Sequence, residues 1–203
     1  MTKFRGKYRI TSTRLKNWDY GRNAIYFVTI CTKNRQHFFG EIMDGKMNLS
    51  EIGIIVELEW LKTFDMRPDM NLYMGEYIIM PNHFHAIIGI GDNKYNIPST
   101  SCRDAMHCVS TTNTETKTND VITTNNATNT HYKNQFGPQS KNLSSIIRGF
   151  KIGVTKNARM IQPDFQWQPR FYDHIVRNDQ SFHRISNYIT NNPKQWDQDE
   201  FNI

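Results

Sequence analysis

Two histidines one residue apart, His83 and His85, lie within the apolar run at residues 77–90, YIIMPNHFHAIIGI. In an extended strand residues i and i+2 share a face, so both imidazoles project with Ile87 and Gly89, while Phe84, Ala86, Ile88 and Ile90 face the other way. Paired imidazoles on one face suit a divalent metal, since neutral histidine is the commonest protein ligand for such ions. The plainer alternative makes one histidine a turn cap and the other a satisfied core or surface residue. Pro81 lacks a backbone donor and Pro-Asn favours a turn. The run therefore reads as a strand at 72–79, a tight connection at 80–82 and a returning strand at 83–90.

A second pair lies near the C-terminal end. Asn178 can cap a helix running to about Asn191, with Phe182, Ile185 and Ile189 toward the core and Pro193 stopping it. Tyr188 and Asn192 are four apart and flank that stripe, so they could project to one point. A phenol beside an amide oxygen is a nucleophile beside a possible metal ligand. Helix geometry alone favours the simpler alternative of a core-edge tyrosine and a capping asparagine.

The elements that must position these residues can be read from pattern. Residues 23–33, NAIYFVTICTK, form a strand by their β-branched and aromatic content, central because nearly continuous in hydrophobicity. Residues 34–49, with Gly40 and Asp44-Gly45, form a hairpin or loop. Ser50 caps a helix with Ile52, Ile55, Val56 and Trp60 at helical spacing, ending before Arg67-Pro68. Leu143, Ile146, Ile147, Phe150 and Val154 repeat at helical spacing, with Arg148, Lys151, Lys156 and Arg159 largely off the stripe. That basic edge suits phosphate contact, or is simply solvated. Residues 165–177, FQWQPRFYDHIVR, have strand composition broken by Pro169, pointing to an edge strand or bend. The expectation is an α+β domain, an antiparallel sheet with helices packed on one face.

Residues 1–22 read as a basic arm. Lys3, Arg5, Lys7, Arg9, Arg14, Lys16 and Arg22 stand against Asp19, interleaved with Phe4, Tyr8, Trp18 and Tyr20. Cations among rings suit phosphate contact and base stacking, and the alternative is a solvated tail whose rings pack back on the domain. Residues 23–203 read as one domain interrupted at about 92–140, where two-thirds of the stretch 110–130 is Thr or Asn with hardly anything apolar. Such a segment buries too little surface to offset its ordering entropy and is expected to be disordered. The formal charge of +6 over 203 residues favours an acidic partner, usually nucleic acid. Cys31, Cys102 and Cys108 show no CxxC spacing, which argues against a disulfide framework or zinc ribbon and fits a reducing cytoplasm. No run reaches membrane-span length and no secretory signal is evident, so no membrane partner is expected.

Three blocks, MPNHFH at 80–85, WQPRFYDHIVRN at 167–178 and NYITNNP at 187–193, resemble the REP-associated tyrosine transposases of the HUH single-strand nuclease superfamily. The similarity extends over most of the chain except the polar insert, which is longer than the family pattern. The resemblance implies a ferredoxin-like, RNA-recognition-like antiparallel sheet with the histidine pair on a central strand. It implies Tyr188 as nucleophile and His83, His85 and Asn192 as ligands of Mg²⁺ or Mn²⁺, which would polarise the scissile phosphate. The implied activity cleaves and rejoins single-stranded or hairpin, REP-like DNA through a 5′-phosphotyrosine intermediate, with no nucleotide cofactor because the linkage conserves the bond energy. Lys3, Arg5, Lys7, Arg9, Arg14, Arg148, Lys151, Arg170 and Arg177 are the expected DNA contacts. The expected setting is the bacterial cytoplasm, at the nucleoid, as monomer or homodimer.

Two rival classes stand beside this. A non-catalytic, sequence-specific DNA-binding protein, repressor or architectural factor, would use the basic arm and keep the histidines structural. A zinc hydrolase would recruit His174 or His183 as a third imidazole.

Overall fold

A computed structural model describes residues 18–96 and 140–202, together with 14–15 and the backbone of 3–4 and 7–8. Near the start, β1 (Lys3–Phe4) pairs antiparallel with β2 (Lys7–Tyr8). The side chains of Lys3, Arg5, Lys7 and Arg9, and the Thr/Asn-rich stretch, lie outside the described residues.

The domain's main elements follow as β3 (Ala24–Cys31), β4 (Gly40–Met43), β5 (Lys46–Leu49), α1 (Glu51–Asp65), β6 (Leu72–Met80), β7 (His83–Ile90), α2 (Leu143–Ala158), β8 (Tyr172–Val176) and α3 (Asp179–Asn191). Among the described residues, β6, β7, β3 and β8 form an antiparallel sheet in that spatial order. Taken with α1 and α2, this is the βαββαβ order of a ferredoxin-like fold. β7, which carries the histidine pair, is interior, paired with β6 on one side and β3 on the other.

Each helix starts where a side chain can satisfy its orphan amides. Ser50 Oγ accepts from the Gly53 N–H at 3.1 Å and donates to the Phe38 carbonyl at 2.6 Å. Asn142 and Ser145 cap each other reciprocally at the start of α2, and Asn178 Oδ1 accepts from the Ser181 N–H at 2.8 Å. The expected strand at 165–177 is shorter than its composition suggested. The regular strand begins after the bend at Gln168–Arg170, where Arg170 has a φ of 69°, and before the bend Trp167 forms an isolated antiparallel bridge to Thr32.

The two faces of the sheet are covered differently. Tyr26, Val28 and Ile30 of β3 and Phe84, Ala86, Ile88 and Ile90 of β7 meet Val56 and Trp60 of α1 and Ile146, Ile147, Phe150 and Val154 of α2. Phe84, the residue between the two histidines, is fully buried, its ring 5.0 Å from Trp60 and 5.4 Å from Phe150. Burying such a ring contributes roughly 1.5–3 kcal/mol, and here it also fixes the strand's rotation so that His83 and His85 must face away from α1 and α2. The expectation of helices on one face holds for those two helices. α3 lies across the opposite face, where Ile185 and Ile189 pack on Phe27, Ile87 and Val176. That second apolar patch is small; Ile87 stands on the histidine face as its parity predicts, whereas Phe27 is hidden in a strand whose hydrophobicity is nearly continuous.

β6 is not a simple alternating strand. Its register shifts between Met74 and Tyr77, so Leu72 and Met74 and then Tyr77 and Ile79 fall on the same face. Gly75 sits in this bulge, where an added Cβ would lie 2.8 Å from the Ile87 side chain. Two rings from residues 1–22 pack against the domain. Tyr20 is buried in the core and Trp18 packs against it, with Trp18 Nε1 donating to Tyr26 Oη at 3.2 Å. At the near end of the insert Asn96 Nδ2 donates to the Gly21 carbonyl at 3.2 Å. At the far end the Leu143 N–H donates to the Tyr20 carbonyl at 3.0 Å. Both flanks of the insert therefore meet at residues 20–21, so the chain between them can vary in length at small entropic cost. No helix among the described residues is long and apolar enough to cross a membrane.

Candidate functional site

The histidine pair opens β7 directly after the turn at Pro81-Asn82. The turn is locked to the end of β3, where Thr32 donates both its N–H and its Oγ1 to the Asn82 carbonyl at 2.9 Å. His83 and His85 are 0 and 1% exposed, with ring centroids 4.5 Å apart. Each imidazole is oriented through Nδ1. His83 Nδ1 lies 2.9 Å from Asn82 Oδ1, an acceptor, so Nδ1 carries the hydrogen and Nε2 keeps its lone pair. His85 Nδ1 lies 2.8 Å from Thr29 Oγ1 on the neighbouring strand.

α3 brings Tyr188 to the same place. Ile185 and Ile189 pin the helix to the sheet, and Tyr188, one residue before Ile189, sits at its edge. Its hydroxyl is 3.2 Å from His85 Nε2, and its ring stands edge-on to Phe27 at 6.2 Å. Asn192, at the helix end, is 1% exposed; its Nδ2 donates to Asp199 Oδ2 at 3.1 Å. The structure thus brings together His83, His85, Tyr188 and Asn192.

Two polar atoms of this cluster, His83 Nε2 and Asn192 Oδ1, are buried without a hydrogen-bond partner. An orphaned buried acceptor costs about 1–3 kcal/mol, and such groups are rare enough in native proteins to need a reason. A divalent cation supplies one. Imidazole nitrogens and an amide oxygen are suitable donors for Mn²⁺ and adequate for Mg²⁺, and ligating histidines characteristically tie down their other ring nitrogen, as both do here. The residues fit the ion. Among the described residues no set of three His, Cys, Asp or Glu side chains converges on one point. His174 and His183 therefore supply no third imidazole, and the all-nitrogen zinc centre falls away.

Burial holds both histidines neutral. His85 is lowered to about 3 by desolvation, and His83 is lowered by desolvation, with the neighbouring His85 and Arg35 acting the same way. Tyr188 is pushed up to about 12, chiefly by burial and then by the charge of Asp199. The histidines give the metal-free protein an acid limit. The folded pKa of His85 lies below its unfolded value of about 6.5, so its contribution is complete above that value and is lost as pH falls from 6.5 toward 3. At pH 5 the expected loss from His85 is about 2 kcal/mol, a fall in Tm of roughly 4–8 °C in a chain of this size, and His83 adds to it. Melting in EDTA across pH 5–7 checks this, and His85→Gln should flatten the slope.

A cleft of about 530 Å³ opens over the cluster, lined by Phe27, Thr29, His85, Arg170, Tyr172 and Tyr188 among others. The Gln168–Phe171 bend forms one wall and separates the cleft from a groove along α2 bearing Arg148, Lys156 and Arg159. Arg170 lies on both. Lys151 is a buttress: its ammonium donates to the Gln168 and Arg170 carbonyls at 2.8 and 3.0 Å, and burial lowers its pKa to about 8. Arg14 is engaged within the domain, 3.4 Å from Asp173 Oδ1 and 2.5 Å from Ser144 Oγ. Arg177 is exposed beside a separate hollow with His174 and Arg184.

Sequence reasoning missed Thr29, Asn82, Asp199 and Phe201. Thr29 had a signal, being a polar residue inside the apolar run of β3 with the same parity as Phe27. Asn82 was read only as a turn former. Asp199 and Phe201 follow the last periodic segment and carried no pattern at all.

The fold built here matches that of a REP-associated tyrosine transposase solved bound to a REP hairpin, at a TM-score of 0.53 and 15% identity, covering 92% of this chain and 74% of that one. No family model matches the sequence. An uncharacterized protein of Haemophilus influenzae is 33% identical over 202 residues, 98% of this chain and 96% of that protein. The chain belongs to the same family as that protein.

Proposed function

We propose that this protein is a DNA strand-cleaving and strand-joining enzyme of the single-tyrosine transposase type, acting on single-stranded or hairpin DNA. The observation that carries the reading is the Tyr188 hydroxyl 3.2 Å from His85 Nε2, beside two buried acceptors with nothing to accept. A module that only bound DNA would have no use for these unsatisfied atoms. The fold likeness to a transposase bound to a hairpin supports the reading.

His83, His85 and Asn192 would hold Mg²⁺ or Mn²⁺, which when bound would polarise the scissile phosphate and neutralise charge building on it. The phenol is raised to about 12, so it does not ionise in advance and must lose its proton as it attacks. Tyr188 Oη bonds to phosphorus, the bond from phosphorus to the 3′ oxygen breaks, and that oxygen leaves as a 3′ hydroxyl after taking a proton. The DNA is left joined through its 5′ phosphate to Tyr188. Attack by a 3′ hydroxyl reverses the step or joins a different end. α3 and Phe27 hold the phenol ring, and Thr29 and Asn82 hold the imidazoles, so little reorganisation remains for the reaction. Arg170 at the cleft wall and the basic groove beyond it suit the phosphates of the approaching strand.

The test is incubation of labelled hairpin DNA with the protein and Mn²⁺, followed by a denaturing gel. A covalent protein–DNA band that disappears with EDTA is the expected result. Binding without any adduct would leave the repressor-like reading in its place.

A further inference from the structure

Asp199 follows the short 3₁₀ helix Asn192–Gln198, beyond the last element that the sheet requires. Its two carboxylate oxygens take different partners. Oδ2 accepts from Asn192 Nδ2 at 3.1 Å, and Oδ1 accepts from the Phe201 N–H at 2.8 Å. A carboxylate only accepts, so the first bond dictates the rotation of the Asn192 amide, with its nitrogen toward Asp199 and its oxygen left buried and without a partner. The second bond fixes the turn that places the Phe201 carbonyl on Asn82 Nδ2 at 2.8 Å. Together with the Arg35 carbonyl, which accepts from the same Nδ2 at 3.1 Å, this holds Asn82 with Oδ1 on His83 Nδ1 and leaves His83 Nε2 as the free lone pair. The Phe201 ring lies 4.5 Å from the His83 ring, closing the same corner.

We propose that Asp199 is the positioning residue of the metal site, orienting Asn192 directly and His83 through Phe201 and Asn82, so that one carboxylate sets two of the three ligands. This rests on the metal reading given above. Asp199 touches neither substrate nor the reacting atoms. Partners that orient ligands in this way typically change metal affinity by about 10- to 100-fold when removed.

The measurement is Mn²⁺ affinity of the full-length, DNA-free protein, by electron paramagnetic resonance titration, with thermal melting in EDTA to establish folding. Asp199→Ala should melt near the parent temperature and bind Mn²⁺ about 10- to 100-fold more weakly. Asp199→Asn keeps one acceptor oxygen and should fall between the two. His83→Ala is the reference and should lose the site. Parent-like affinity in a folded Asp199→Ala protein, with His83→Ala inactive in binding, overturns the proposal for Asp199 alone. Equal Mn²⁺ binding by the parent and His83→Ala overturns the metal reading itself.

Discussion

Tyr188→Phe should abolish the covalent DNA adduct, a loss on the order of 10⁴-fold or more in cleavage, while the protein still folds and binds hairpin DNA. The substitution removes one hydroxyl, which lies 3.2 Å from His85 Nε2, so its effect on stability should stay within about 1.5 kcal/mol. Tyr172→Phe is the matched control, because Tyr172 lines the same cleft. Tyr172 pairs across the sheet with Thr29, and Thr29 with His85, which puts the Tyr172 backbone two strands, roughly 10 Å, from that of His85. Its adduct level should stay within a few-fold of the parent. Peptide mapping of the adduct decides between them, and label on any peptide lacking Tyr188 rejects the assignment.

The second large effect is expected at the histidines. His83→Ala and His85→Ala should each reduce Mn²⁺-dependent cleavage by at least about 10³-fold, the scale seen when a residue acting as part of a catalytic unit is removed, and leave hairpin binding nearly unchanged. The cost in stability should be moderate. Each change empties space beneath Trp196, Phe201 or Tyr188, but His83→Ala also removes a buried nitrogen that has no partner. A net loss of about 1–3 kcal/mol is expected. Normal cleavage in Mn²⁺ by both variants would rule out the pair as the metal site.

Much of this was legible because local signals agreed with one another. The turn at Pro81-Asn82 fixed where β7 begins, and strict alternation through Phe84, Ala86, Ile88 and Ile90 fixed which way the histidines point. Ser50 and Asn178 marked their helix starts because a side-chain oxygen is what a first turn lacks. Illegible were features that depend on contacts distant in sequence. The docking of α3 on the histidine face rests on a few apolar residues of β3 and β7 that look like the rest of a buried strand. Lys151 reads as an exposed basic position by helical spacing, yet its stem reaches back to support the bend at Gln168–Arg170. The bulge in β6 sets two residues, Gly75 and Glu76, opposite the single Ile87, one more than regular pairing allows, which composition does not reveal. Asp199 lies among polar residues, and only the chain's return over Asn82 gives it partners.

The docking of α3 onto the sheet of its own chain also bears on inheritance. On the proposed reading, the nucleophile Tyr188 and the ligands His83, His85 and Asn192 lie on one polypeptide, so a single copy would carry every group the site needs. Mixing a chain altered at Tyr188 with one altered at His83 tests this: a site built within one chain would leave the mixture without adduct, whereas adduct from the mixture would mean that copies share their helices. With the site built within one chain, activity in a cell carrying intact and damaged copies would follow the number of intact copies, and a damaged copy would act on its neighbours only by competing for the same DNA.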